Sequence, residues 1–496
     1  MYKFTTIVLI SGLICLSATG QQKPNVLMIC IDDMNDWCGF LNGHPQSKTP
    51  NMDKLAKKGV NFTNAHCTSP GCSPSRNALM LGVEPHRSGL YPFYNLNKVT
   101  TGELDQYTTP LPKMFKDHGY TTIGITKVYH NPDRFWRENE QWDEYKYYSN
   151  AKLKKITSKG YHPEPFNKRT VACPVSNSLE DFQDYLSAEH AVEVLKRNHD
   201  QPFFLAVGFI LPHTSFLMPE ENWDRFNFPI IEPYIKHDDL KDIPMVGQAN
   251  AQIYVELPVR RDCAWEEIRR GYLASINFTD DNVGRVLTAL ENSPYSDNTI
   301  IILWSDHGYH LGEKRSFSKF SLWNESTRTP FIIYDPRNDK GNGKECSEPV
   351  GLINVFKTLA DLTNLEPPEY IDGQSLVPWI KNPSLPKSSP AMTTWGRGNY
   401  TLRSKEWRYT RYFDGSEELY NQITDSNEWT NLALFPEYED VKKSFIKWLP
   451  KDEASQVASG RELYNVADAD NPIKNINSYK RYVKQYKAEG LTPALD

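Results

Sequence analysis

A handful of short stretches hold the residues able to do chemistry. GCSPSRNALM, at 71–80, sets Cys72 in front of Ser-Pro-Ser-Arg, with Arg76 one helical turn further on. A structural cysteine needs neither that Pro nor that Arg, whereas a reactive one needs an electropositive position. Asp32-Asp33 and Asp306-His307 each follow a run of apolar residues. Clustered carboxylates repel one another unless a cation sits between them, so two acidic strand ends brought together suggest a hard divalent cation. His307 is a nitrogen ligand, which calcium tolerates less readily than oxygen. Lys127 and His130 stand three apart in TKVYH, His213 closes FILPH, and Lys319 sits in RSFSKFS with Lys314 and Arg315 close by. Taken singly these have bland readings: Asp-Asp is usually a solvated turn, Lys-x-x-His a surface loop, and a lone His a satisfied core residue.

Position decides between the readings. NVLMICI at 25–31 is a continuous apolar run and reads as a parallel strand buried on both faces. TTIGIT at 121–126 and NTIIILW at 298–304 read as further strands, and FFLAVGF at 203–209 as a buried one. Between them lie helical patterns: TPNMDKLAKKGV ending at Gly59, TPLPKMFKDHGY, 178–198 and 265–293. Strands alternating with helices predict an α/β fold with a large, mainly parallel sheet flanked by helices. Four of the polar clusters, Asp32-Asp33, Lys127, Pro212-His213 and Asp306-His307, fall just after strands, and open α/β sheets bind ligands beyond the carboxyl ends of their strands. From about 386 the texture changes to alternating strands with turn residues, then the helix YEDVKKSFIKWL and a polar tail with one helix at 478–490. That predicts a smaller C-terminal antiparallel sheet plus helix. The division expected is a signal peptide at 1–20, a catalytic domain at 21–384 and a C-terminal subdomain at 385–496.

Composition narrows the function classes. A net charge of −6 offers no global basic field, so nucleic acid is not the expected partner and any anionic ligand must meet local positive charge. MYKFTTIVLISGLICLSATG carries one Lys, a short apolar run and small residues, the pattern of a secretory signal peptide, which predicts a secreted or periplasmic protein without a membrane span. Of eight cysteines, Cys15 lies in that leader, and the remaining seven are an odd number in an oxidising compartment.

Cys72-Ser73-Pro74-Ser75-Arg76 resembles the Cys-x-Pro-x-Arg signature of the type I sulfatases. NVLMICIDDMNDW, GYTTIGITKVYH, PFFLAVGFILPH, SDHGYHLGE and EELYN extend the resemblance over about 24–434. LYPFYNLN, ACPV and DHGYHLGE look most like the iduronate-2-sulfatase branch, which includes bacterial polysaccharide sulfatases. The resemblance implies an alkaline-phosphatase-like fold and conversion of Cys72 to formylglycine by a maturation enzyme, its hydrate supplying a metal ligand and the nucleophile. It implies one calcium ion held by Asp32, Asp33, Asp306, His307 and residue 72. Arg76 and Lys127 would hold the hydrate and the sulfate, His130 would act as the base that expels sulfate, His213 would protonate the leaving sugar oxygen, and Lys319 would be the second sulfate-binding lysine. Many family members have Asn where this chain has His307; the iduronate branch has His. The implied substrate is a 2-O-sulfated uronate or similar sugar in a polysaccharide of the carrageenan or ulvan type, with Tyr309 and Arg397 as contacts. Two alternatives stay open at this point: a phosphatase or phosphodiesterase of the same superfamily, whose members use Ser or Thr and two zinc ions, and an unconverted homologue that only binds glycan.

Overall fold

The computed structural model describes residues 23–470, except 101, 131–135, 151–152, 154–156, 158, 162–170, 237, 252–263 and 462–465, together with 480 and 484. The expected signal peptide, Cys15, Cys263 and nearly all of the expected tail helix lie outside the described residues.

Eight strands form the main sheet, in the order Lys344–Cys346, Val60–Phe62, Phe331–Tyr334, Thr299–Ser305, Asn25–Ile31, Phe203–Gly208, Thr121–Thr126, Glu144–Lys146. Phe331–Tyr334 runs antiparallel to both its neighbours; the other pairings are parallel, so the sheet is mainly parallel, as expected. Asn25–Ile31 shows why its residues need no polar face. Leu27, Ile29 and Ile31 point into one core cluster, while Val26, Met28 and Cys30 point into the other. Helices Gln183–Lys196 and Trp265–Glu291 cover the first face, through Ala188, Ala191, Leu195, Tyr272 and Ile276. Cys72–Leu81, Leu111–Asp117 and Asn354–Thr363 cover the second, through Leu79, Met80, Met114, Phe356 and Leu359. Each Val, Leu, Ile, Met or Phe among them contributes about 1.5–3 kcal/mol by leaving water, which is why the central strand Asn25–Ile31 reads as an apolar run.

Ala391–Thr394, Tyr400–Arg403, Trp407–Arg411 and Glu417–Asn421 make the small antiparallel sheet, followed by the helix Glu439–Ile446. The chain then returns across the main domain: the Ala454 amide donates to the His86 carbonyl and the Val457 amide to that of Gly89. Val466 and Ala467 pack in one cluster with Cys72, Phe93, Phe320 and Trp395. The six described cysteines are buried and unbridged, so the odd count predicted from sequence is not resolved by pairing among them. Among the described residues no helix is long and apolar enough to cross a membrane.

Candidate active site

Strand register builds the site. Ile31 pairs with Ser305, so Asp32-Asp33 and Asp306-His307 leave the sheet side by side. Gly208 pairs with both Cys30 and Thr126, which brings Lys127 to the same edge. Two residues at that edge turn through left-handed backbone, Asp33 at φ 63° and Thr126 at φ 56°. A β-branched residue there is strained, and such strain persists only where surrounding contacts impose it. The contacts are present. The Thr126 hydroxyl bonds that of Ser187 at 2.6 Å, and the Tyr272 hydroxyl donates to the Asp33 carbonyl at 2.7 Å.

Cys72 is the first residue of the helix Cys72–Leu81, where the unpaired N–H groups and the helix dipole favour negative charge. Gly71 precedes it because a Cβ there would press on the Phe93 and Trp395 rings at 3.1 Å. The Cys72 Sγ lies 3.6 Å from Asp33 Oδ1 and 3.4 Å from His307 Nε2, and receives Lys319 Nζ at 3.0 Å. Arg76, fully buried one turn later, ties the strand ends together. Its Nε donates to Asp306 Oδ2 at 2.8 Å and its Nη2 to Asp32 Oδ1 at 3.1 Å, with further bonds to the carbonyls of Ile31, Lys127 and Val128. Lys127 Nζ meets Asp32 Oδ2 at 2.8 Å and Lys319 Nζ meets Asp33 Oδ1 at 2.5 Å. His307 Nε2 faces Asp33 Oδ1 at 3.3 Å, while its Nδ1 is satisfied by the Gly308 carbonyl.

Burial penalises the Asp32 carboxylate, yet Lys127 and Arg76 outweigh it and hold Asp32 well below the usual carboxylate range. The same contest lowers Asp33, through His213, Lys319 and His307. At Asp306 burial prevails and the carboxyl is raised. Burial and the neighbouring carboxylates push the Cys72 thiol well above its ordinary value, Lys319 notwithstanding. A thiol in this setting stays protonated and makes a poor thiolate nucleophile. Three carboxylates face three permanent cations, Arg76, Lys127 and Lys319, so the cluster is close to neutral as it stands. A divalent cation would turn it into an anion trap.

Such an ion fits. Ligand atoms of Asp33, Cys72, Asp306 and His307 lie within 4.8 Å of one another, as do those of Asp32, Asp33, Cys72 and His213. The two sets share Asp33 and Cys72 and describe one centre. Asp33 Oδ2 is buried and accepts no hydrogen bond, the kind of orphaned oxygen that a metal satisfies.

His213 follows the Phe203–Gly208 strand. Its Nδ1 is bonded to the Thr214 carbonyl, leaving Nε2 facing Asp33 Oδ2 at 4.0 Å. The loop before it is pinned by Asp184, which accepts the Ile210 and Leu211 amides at 2.8 and 2.9 Å. His130 stands edge-on to Phe93 at 5.1 Å with its buried Nδ1 unpartnered; burial, then Lys127, push its pKa well down. Lys314 points elsewhere, to Asp239 at 2.7 Å, so Lys319 is the lysine of this stretch that reaches Cys72.

Two expected contacts are placed away from the cluster. Tyr309 is turned into the core: its ring stacks on Tyr272 at 5.6 Å and its hydroxyl donates to the Phe317 carbonyl at 3.2 Å. Arg397 pairs with Asp470 at 3.0 Å and Glu453 at 3.4 Å. Sequence reasoning missed the C-terminal groups that hold the Lys319 loop. Trp323 Nε1 donates to Glu418 at 2.7 Å, Arg408 to the Leu322 carbonyl at 3.2 Å, and the Asn324 amide to Glu428 at 3.0 Å. Phe320, at φ 77°, stacks on Trp395 at 5.2 Å. No local motif marks these residues, because each acts across a long sequence separation.

Comparison with known proteins agrees with this geometry. Residues 24–365 match the family model described as sulfatase, and 312–455 match that of the N-sulphoglucosamine sulphohydrolase C-terminal region. A protein named sulfatase from Formosa agariphila is 35% identical over 92% of this chain and 93% of its own. Mouse iduronate 2-sulfatase is 29% identical over 69% of each. Among solved structures, a phosphonate monoester hydrolase from Silicibacter pomeroyi superposes with a TM-score of 0.69 at 19% identity, covering 86% of this chain and 94% of that one, a likeness of fold alone. With a family model matched over more than half its length and a 35% relative along nearly all of it, the chain belongs to the sulfatase family and is a sulfuric ester hydrolase.

Proposed function

We propose that the chain is a secreted or periplasmic, formylglycine- and calcium-dependent sulfatase that removes sulfate from a sulfated glycan, in particular from a 2-O-sulfated uronate or a similar sugar. The observation that carries this reading is the seat of Cys72: a buried side chain at a helix N-terminus, reached by Lys319 and His307 and ringed by three carboxylates. A thiol gains nothing from that seat. Oxidised to formylglycine by a maturation enzyme, residue 72 would supply a hydrated aldehyde, with one oxygen for the metal and one as nucleophile. Asp32, Asp33, Asp306 and His307 would hold the calcium ion, which supplies charge stabilisation at the sulfate oxygens.

The chain's own residues account for the rest. Lys319 and Lys127 present ammonium groups beside residue 72, where a sulfate's equatorial oxygens gather charge, and preorganised cations of this kind are usually the largest catalytic term. His213 keeps Nε2 free toward the cluster and is the group we assign to protonate the leaving sugar oxygen. His130, close enough to Lys127 for that charge to oppose its protonation, is assigned as the base. The relative named iduronate 2-sulfatase supports a uronate 2-sulfate as the substrate class. The test is mass spectrometry of the peptide spanning residue 72, purified from the native host or from a host able to mature sulfatases. Aldehyde at 72 together with sulfate release from a 2-O-sulfated uronate disaccharide is the expected result. Unmodified thiol in an active preparation would overturn the mechanism.

A further inference from the structure

Away from the catalytic cluster, two concavities among the described residues stand out by volume. The larger, about 850 Å³, lies between the helices Gln183–Lys196 and Trp265–Glu291. Its arginines are committed to carboxylates: Arg197 to Glu144 at 2.6 Å, Arg225 to Asp281 at 2.8 Å and Arg285 to Glu189 at 3.5 Å. The smaller, about 610 Å³, lies on the C-terminal sheet, between its middle strands and the turn after the helix Glu439–Ile446. It has a different character. Phe413, Ile446 and Leu449 give it apolar surface, and Arg411, Lys447 and Lys451 surround that surface. No carboxylate among the described residues pairs with any of these three cations within 4.0 Å. The acid that does line the groove, Glu453, is already taken by Arg397 and the Tyr400 hydroxyl.

The groove also adjoins the active site. Phe413 packs against the cluster that contains Cys72, Phe93, Phe320 and Trp395, and Ala469 on its edge donates to the Arg397 carbonyl at 3.0 Å.

We propose that this groove is a second binding site for sulfated glycan, in which Arg411, Lys447 and Lys451 hold sulfate groups of a polymer while another part of it is presented to the catalytic cluster. The proposal rests on the reading of the substrate as a sulfated glycan. Exposed cations bind single anions weakly and are screened by salt, so the site acts by engaging several charges of one chain at once. A repeating anionic polymer meets that requirement and a single sulfated sugar does not.

The experiment uses the full chain carrying Cys72→Ala, so that binding is read without turnover and does not depend on maturation. Retardation is measured by electrophoresis through gels containing dermatan sulfate or its chemically desulfated form. We expect retardation by the sulfated polymer only, weakened by salt, and a loss of about tenfold in apparent affinity in Arg411→Gln/Lys447→Gln/Lys451→Gln. In protein with Cys72 intact, the same triple substitution should slow desulfation of the polymer and leave the rate on a sulfated disaccharide unchanged. Equal retardation of triple variant and parent, equal retardation by the desulfated polymer, no retardation at all, or a parallel loss on the disaccharide would each overturn the proposal. Failure of the formylglycine mechanism would abolish turnover and leave retardation intact, so the two readings fail separately.

Discussion

Arg76→Met removes the group that ties three strand ends together. In the folded chain its guanidinium is 0% exposed and serves Asp32 and Asp306 as well as three carbonyls. Taking one partner from a buried ion pair costs about 3–5 kcal/mol, and each carbonyl left without its donor adds about 1 kcal/mol or more, so the loss is about 6–8 kcal/mol. That rivals the whole stability of a typical domain, about 5–15 kcal/mol. At about 2 °C per kcal/mol, appropriate to a large chain, the melting temperature should fall by about 12–16 °C. Arg76→Lys should recover only part of this, since one ammonium cannot reach two carboxylates and three carbonyls in the geometry of a planar fork. Thermal unfolding followed by circular dichroism in the presence of a chelator isolates the protein's own contribution from that of any bound cation. A fall of less than about 3 °C for Arg76→Met under those conditions would refute the assignment of Arg76 as the tie between strands.

Three further outcomes follow from the same geometry. On the proposed mechanism, Cys72→Ala should fold normally and lose about three orders of magnitude or more in sulfate release, read by ion chromatography, because it removes the covalent nucleophile. His213→Ala should slow desulfation of a sugar about a hundredfold or more, yet barely affect a nitrophenyl sulfate, whose leaving group needs no proton; equal losses on both substrates would remove His213 from the acid role. Gly208→Ala should yield destabilised or insoluble protein, since the added Cβ would lie 2.1 Å from the Lys127 backbone carbonyl carbon, a clash at the very edge that carries the site.

What could be read from sequence divides by range of interaction. Asn25–Ile31 was legible to the residue because a strand buried on both faces is apolar along its length and its end is where polarity begins, whereas Thr121–Thr126, with three threonines, was legible from β-branched residues following a helix that stops at Gly119. The same rule places Asp32-Asp33, Lys127 and Asp306-His307 at one edge, and register then brings them within reach of one another. Phe331–Tyr334 and Val60–Phe62 were not legible: each is four residues or fewer, and its pairing is decided by distant partners. Tyr309 and Arg397 show the limit at the side-chain level. Proximity in sequence to His307 says nothing about direction, and Tyr309 turns to stack on Tyr272 because an aromatic ring at a strand end gains more from the core than from a polar cleft.

The C-terminal sheet makes the same point from the other side. Its alternating pattern announced a small antiparallel sheet, but nothing in Arg408, Glu418 or Glu428 announced that they would reach back to Leu322, Trp323 and Asn324. The bonds of Trp323 and Arg408 are buried and that of Asn324 partly so, so leaving them unmade would be costly. They restrain the loop whose Phe320 sits in strained left-handed backbone next to Lys319. The small sheet is therefore a clamp as well as an appendage. It holds Lys319 where an anion bound at residue 72 would need a charge, and that dependence explains why a subdomain that adds none of the three carboxylates facing residue 72 is packed so closely behind the active site.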